Sequence, residues 1–203
     1  MGSKKIFTVL GANNHASDGH EYEKDSFYAT DPDTVKKMLK AFERDGVKLN
    51  SNIWECACGS GTIANVLTEA GYNVKCSDIV DRGCPNTEIK DFLGFENYNM
   101  KFNGDILTNP PYKLSLEFVK KSLECIEDGS LVVMLLKVQF LEGKERRAFY
   151  RKNPPKYVYV HSERQACYIN GDFSEKKGSA VCYCWYVWEK GFSGEPVIRW
   201  VED

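Results

Sequence analysis

Residues 52–78, NIWECACGSGTIANVLTEAGYNVKCSD, contain the change of period that decides the fold. NIWECAC has the character of a buried strand, and Gly59-Ser60-Gly61 breaks it because glycine tolerates the backbone of a sharp turn. TIANVLTEA then places Ile63, Ala64, Val66, Leu67 and Ala70 at helical spacing, with Gly71 as terminator. YNVKCSD returns to strand character and ends on an acid, Asp78. Strand, glycine turn, helix, strand, acid is the opening half of a nucleotide-binding α/β unit.

Working outward, the first thirty residues form a polar, irregular arm around GANNHASDGHEYEKDS that leads to FYATDP, residues 27–32. Asp31 and Pro32 supply an N-cap and a first-turn proline for a helix over 32–44, with Val35, Met38, Leu39 and Phe42 on its apolar face. Downstream, a short strand over 87–90 ends at Asp91, and GDILT is a strand that ends at Asn109-Pro110-Pro111-Tyr112. LSLEFVKKSLECI reads as an amphipathic helix, and SLVVMLLK as the continuous apolar run of a central parallel strand. GKERRAFYRK is a polar helix and KYVYVH a strand. GSAVCYCWYVWEK is a long β-rich run with Trp185 and Trp188 on opposite faces. Early βα alternation followed by two late strands predicts one doubly wound α/β sheet, mostly parallel, with an antiparallel last strand.

The chain of 203 residues is the size of one domain with its own core, and its 42% hydrophobic and 28% charged content excludes disorder and fibre. No apolar run reaches the ~18 residues of a membrane helix. The start MGSKKIFTVL lacks the apolar region of a signal peptide, so a cytoplasmic protein without membrane association is expected. Net charge −2 and a pI near 6.0 carry no global signature of a nucleic-acid binder, and any such contact rests on a local patch. Eight cysteines include Cys56-x-Cys58 and Cys182-x-Cys184 but no CxxC pair and no zinc spacing, so they read as structural thiols and no metal is expected. His15, His20 and His161 are too dispersed to suggest a site.

Gly59-x-Gly61-x-x-Ala64 matches a dinucleotide pattern, in which glycines allow close approach to a ligand and the following helix offers unpaired N–H groups. Asp78 stands where an acid would bind ribose hydroxyls. These features leave a nicotinamide cofactor and another adenosine cofactor both open. Two others separate them. Glu55, just before the glycine turn, would be awkward beside a pyrophosphate but suits a cationic amino-acid moiety. In NPPY the prolines fix φ and remove two N–H groups, so carbonyls there stay available as acceptors. Asn109 and the Pro110 carbonyl can together accept from one exocyclic amino or amide nitrogen, and Tyr112 offers a flat face.

FYATDP, ECACGSG and NPPY in this order resemble the S-adenosylmethionine-dependent N6-adenine methyltransferases of the gamma-type motif order, over residues 27–140. The resemblance implies a Rossmann-like class I methyltransferase fold, S-adenosylmethionine as cofactor with S-adenosylhomocysteine as product, and nucleic acid, DNA first, as partner. Tyr28 and Thr30 would lie near the methionine end of the cofactor. Glu55 would hold its amino group, with Cys56, Ala57, Gly59 and Gly61 lining the turn. Asp78 would bind the ribose, with Ile79 beside it. Asp91 would accept from the cofactor's adenine amino group, with Phe92 against the ring; Asp105 is a rival better suited to a structural place in its strand. Asn109 would face the cofactor as well as the target, which Asn109, Pro110, Pro111 and Tyr112 would grip. One methyltransferase domain over 1–203 is implied, with an arm over 1–30, a cofactor-binding and catalytic core over 31–140, and sheet completion over 141–203.

Members of this order commonly carry a target-recognition region after the catalytic half, whereas about 60 residues follow the fifth strand here. That favours a short recognition site, a partner subunit or homodimer, or a single-stranded or RNA substrate. Lys144, Arg146, Arg147, Arg151, Lys152 and Lys156 cluster around one helix and the NPPK turn, as phosphate contacts or as a solvated face. Phe140, Arg164 and Phe173 fall in loops after late strands and are further pocket candidates. The rivals are methylation of RNA or of a protein glutamine amide, an NAD(P)-dependent oxidoreductase, and a cofactor-binding protein without catalysis, the last opposed by intact Asn109 and Tyr112.

Overall fold

The computed structural model describes residues 28–94, 101–163, 167–169 and 181–202. Arg164 and Phe173, which the sequence marks as pocket candidates, lie outside the described residues, as does the arm before Tyr28. β1 (Tyr28–Thr30) runs into α1 (Pro32–Arg44). Asp31 caps α1, its side chain accepting from the Asp33 N–H at 2.9 Å with Pro32 in the first turn, as the sequence predicts. The helix ends at Asp45, whose carboxylate takes Arg44 at 2.9 Å and Arg199 at 3.1 Å.

Then follow β2 (Asn52–Glu55), α2 (Thr62–Glu69), β3 (Asn73–Asp78), β4 (Glu88–Ile89) and β5 (Asp105–Thr108). A 3-10 turn over Tyr112–Leu114 leads into α3 (Ser115–Cys125) and β6 (Leu131–Lys137); a second over Val138–Leu141 leads into α4 (Lys144–Tyr150). The chain closes with β7 (Tyr157–His161), β8 (Cys167–Ile169), β9 (Tyr183–Glu189) and β10 (Val197–Val201).

Eight of these strands form one sheet in the order β10-β7-β9-β6-β5-β2-β3-β4. All neighbours pair in parallel except β9, which is antiparallel to both β6 and β7. The mostly parallel sheet agrees with the sequence reading, but the antiparallel strand is the penultimate one. β10, pairing parallel with β7 at the sheet edge, follows it. The sequence reading passed over this strand although VIRWV is β-branched and aromatic; at the sheet edge Val197, Ile198 and Trp200 stay exposed. β1 pairs antiparallel with β8, Thr30 opposite Cys167, in a separate two-stranded ribbon.

Helices cover both faces. Val35, Met38 and Phe42 of α1 and Ile63 and Leu67 of α2 pack with Ile53, Val133 and Trp185 on one side. Leu116, Phe118 and Val119 of α3 pack with Ile106, Met134 and Trp188 on the other. The two tryptophans therefore do lie on opposite faces. Each aliphatic chain buried here contributes roughly 1.5–3 kcal/mol.

Asp105 is a structural carboxylate. It accepts from the Asn50 N–H at 2.6 Å and the Leu131 N–H at 2.8 Å, joining the chain before β2 to the start of β6 at the amino end of β5.

From β2 the chain moves outward to β3 and β4, then returns to β5 on the opposite flank of β2. The order reverses between β2 and β5, and the crevice at such a reversal, outside the carboxyl ends of the strands, is where open α/β sheets bind ligands. Glu55 ends β2 and Asn109 follows β5, so the two motifs flank that crevice.

Candidate active site

Gly59 and Gly61 have φ of 53° and 87°, values that favour glycine, and they carry the chain from β2 into α2 in a single turn. The Cys58 N–H donates to the Ser77 carbonyl at 3.1 Å, which fastens the turn to β3. Asp78 locks it further: one carboxylate oxygen accepts from the Gly59 N–H at 2.8 Å and the other from the Val80 N–H at 3.1 Å. Each oxygen can accept a second bond, so the carboxylate that holds the turn can also meet a ligand hydroxyl. Ile79 is 56% exposed and Ile89, on β4, 55%, an apolar rim beside the acid.

Glu55 is wholly buried. Its Oε1 accepts from the Ala57 N–H at 3.4 Å, while Oε2 has no partner among the described residues. Burial holds its carboxyl well above the ordinary range; the neighbouring Thr108 hydroxyl pulls the other way but stops short of a hydrogen bond. An open, buried carboxylate oxygen at the strand end is a place for a cation, because pairing offsets the cost of burying its charge. These residues fit the ammonium group of an amino-acid cofactor.

On the other flank, Asn109 donates its Nδ2 to the Thr30 hydroxyl at 3.1 Å. With Nδ2 turned to Thr30, Oδ1 is the accepting side of the amide. The Pro111 carbonyl accepts from the Leu114 N–H at 2.9 Å, whereas no described residue donates to the Pro110 carbonyl. Ser115 Oγ donates to the Tyr112 carbonyl at 2.9 Å. The Tyr112 ring lies 5.7 Å from that of Tyr183, and Lys137 Nζ sits 4.9 Å from its centroid. The sequence reading missed Thr108 and Lys137, the last residues of β5 and β6, and Tyr183, the first of antiparallel β9, because these strands show apolar runs with nothing to mark the residue at this edge.

Other sequence candidates are placed differently. Asp91 is exposed, its Oδ1 accepting from the Leu93 N–H at 2.9 Å. Phe92, expected against the cofactor's adenine, is 3% exposed and packs edge-on to Trp54 at 5.3 Å and beside Phe118 at 5.2 Å. Cys56 is buried in the same core. Phe140, expected in a pocket loop, is a core ring against Tyr150, Tyr186 and Trp188. Arg146 covers it at 5.3 Å and donates to the Glu142 and Gln139 carbonyls. Lys156 is ion-paired with Glu189 at 2.5 Å. Lys144, Arg147 and Arg151 are exposed along one side of α4 and its end, bordering a shallow hollow with Ala148.

No family model and no curated protein matches the chain. Solved structures do. A type I restriction-modification methyltransferase subunit from Streptococcus thermophilus superposes with TM-score 0.62 and 11% identity, over 87% of this chain and 48% of that one. A protein assigned as a modification subunit of a type I restriction enzyme from Vibrio vulnificus gives 0.60 and 14%, over 93% and 48%. A protein assigned as an RNA methyltransferase from Pyrococcus horikoshii gives 0.56 and 15%, over 81% and 87%.

The fold is that of class I methyltransferases.

At these identities the likeness is one of fold, and the chain spans about half the length of the two restriction-modification subunits. Within this methyltransferase fold, the edge bearing Glu55, Asp78 and Asn109 is the crevice at the strand-order reversal. No helix among the described residues is long and apolar enough to cross a membrane.

Proposed function

We propose that the chain transfers a methyl group from S-adenosylmethionine to the exocyclic amino group of adenine in nucleic acid, DNA in the first instance. The observation that carries this reading is Asn109, bonded to Thr30 beside the Pro110 carbonyl, across the crevice from Glu55 Oε2, with no described residue donating to either that carbonyl or that oxygen. Bound S-adenosylmethionine supplies an electrophilic methyl group on a sulfonium. Glu55 Oε2 would hold its ammonium group and Asp78 its ribose hydroxyls, with the Gly59–Gly61 turn and Ile79 as the neighbouring contacts.

On the target side, an adenine amino lone pair is delocalised into the ring and is a poor nucleophile. Asn109 Oδ1 and the Pro110 carbonyl accept its two hydrogens and draw the nitrogen toward a pyramidal geometry, which frees the lone pair. Tyr112 provides the flat wall. The methylated nitrogen is acidic and releases its extra proton to water. Alignment and fixed dipoles supply the rate. A target in a duplex must leave the stack to reach this edge. Lys144, Arg147 and Arg151 take phosphates, and a partner subunit or a second copy completes target recognition. The restriction-modification and RNA methyltransferase likenesses favour nucleic acid over a protein glutamine amide.

The test is incubation with labelled S-adenosylmethionine and, in parallel, DNA, RNA and protein extracts, followed by digestion. N6-methyladenine in DNA is expected; label confined to RNA or to glutamine would overturn the substrate, and no binding of S-adenosylmethionine would overturn the class. Asn109→Ala should abolish transfer with cofactor affinity nearly intact.

A further inference from the structure

We infer that Cys58, Cys76 and Cys84 form a binding site for one Zn²⁺ ion, with the Thr87 hydroxyl or a water in the fourth position. Their sulfur atoms all lie within 4.8 Å of one another, and all three residues are buried. Zn–S bonds of about 2.3 Å put tetrahedral ligand sulfurs roughly 3.8 Å apart, so a contraction of no more than ~1 Å closes the site.

The three thiols arrive from separate segments: Cys58 from the glycine turn, Cys76 from β3, and Cys84 from the loop over 79–87. Buried thiols that merely fill a core have no reason to converge from three segments on one point. The backbone also makes room for the third. A Cβ on Gly61 would stand 2.8 Å from Cys84 Sγ, so the position that needs a left-handed turn also admits this sulfur. Thr87 Oγ1 donates to the Cys84 carbonyl at 2.7 Å and lies 3.4 Å from Cys58 Sγ. Its hydrogen spent on that carbonyl, the oxygen can turn a lone pair to the cluster.

Ala64 and Val74 wall the cluster with apolar surface. Thiolates there need a cation, and a soft d10 ion suits three sulfurs and one oxygen. On loading, three S–H bonds break, three Zn–S bonds form, and the protons pass to solvent. The ion would tie the 79–87 loop to the turn and to β3. Cys58 adjoins Gly59, and Cys76 is two residues before Asp78, so it would also stiffen the Gly59–Asp78 contact. That consequence rests on the S-adenosylmethionine reading; the site itself does not.

The test uses the reduced 203-residue chain and Zn²⁺ alone. After loading and dialysis against metal-free buffer, one zinc per chain is expected, with a raised Tm. Cys84→Ser and Cys58→Ser should each lose the metal, while Cys182→Ser, outside the cluster, should keep it. Two separate ligand variants guard against one failing to fold. Absence of retained zinc in the wild-type chain would overturn the site, including the case where two of the thiols are found joined as a disulfide and the reduced protein takes up no metal. Equal zinc content in wild type and both ligand variants would also overturn it.

Discussion

Asn109 Nδ2 donates to the Thr30 hydroxyl at 3.1 Å, across 79 positions of sequence. The bond ties β1, which belongs to the small ribbon with β8, to the end of β5 at the centre of the main sheet. The upstream FYATDP segment is therefore joined to the NPPY turn by its own side chain.

Thr30→Val removes that bond with little change of shape. The methyl-transfer rate should fall by about 10- to 100-fold, because small misplacements of an aligned group carry penalties of that size. Affinity for S-adenosylmethionine should barely move, and Thr30→Ser should restore most of the rate. Loss confined to KM in single-turnover and steady-state assays would assign Thr30 to binding instead.

Glu55→Gln removes a buried carboxyl whose pKa burial raises. The native state holds that proton more tightly than the unfolded one, so its contribution to stability is full below the ordinary carboxyl pKa and is lost as pH rises through the raised value. The ligand-free variant should match wild type in Tm at low pH and exceed it at neutral pH and above. Cofactor affinity, read by calorimetry, should fall by about 10- to 100-fold, the scale of a lost charge-assisted hydrogen bond.

His161 ends β7, and burial, with Lys37 nearby, pushes its pKa down to about 4. A depressed histidine contributes stability above its ordinary pKa of 6.5 that is lost as pH falls through about 4. Denaturant unfolding should show stability falling across that window, and His161→Gln should flatten it. Asp45, held down to about 2 beside Arg44, loses its contribution at lower pH, between about 4 and 2, which separates the two effects.

Replacing Lys144, Arg147 and Arg151 together by alanine should weaken nucleic-acid binding across sequences. The slope of log K against log salt should become shallower by about two to three. Arg146→Ala, which uncovers Phe140, should lower Tm more than it changes that slope. Fluorescence anisotropy at several salt concentrations distinguishes the outcomes.

Much of this site is legible along the chain. Asp31 and Pro32 start α1 at the expected residue, because capping is a matter of adjacent backbone groups. The strand-end positions of Glu55 and Asp78 and the Gly59–Gly61 turn follow from strand and helix periods, and the stiff turn at Asn109–Tyr112 from two consecutive prolines; the roles proposed for them come from the resemblance to the N6-adenine methyltransferases. Phe92 and Phe140 are legible as aromatic residues near loops, but a residue type does not reveal which way its ring turns, and both turn into the core.

The sequence by itself determined the local elements and the two motifs, since turns, caps and periods depend on residues a few positions apart. Tertiary structure decided the rest. It inserted β9 antiparallel between β6 and β7, set β10 at the edge, joined Thr30 to Asn109, and gathered Cys58, Cys76 and Cys84. Each of these is a contact between separate segments, with no period to announce it. They become visible only when the sheet order brings the strand ends together.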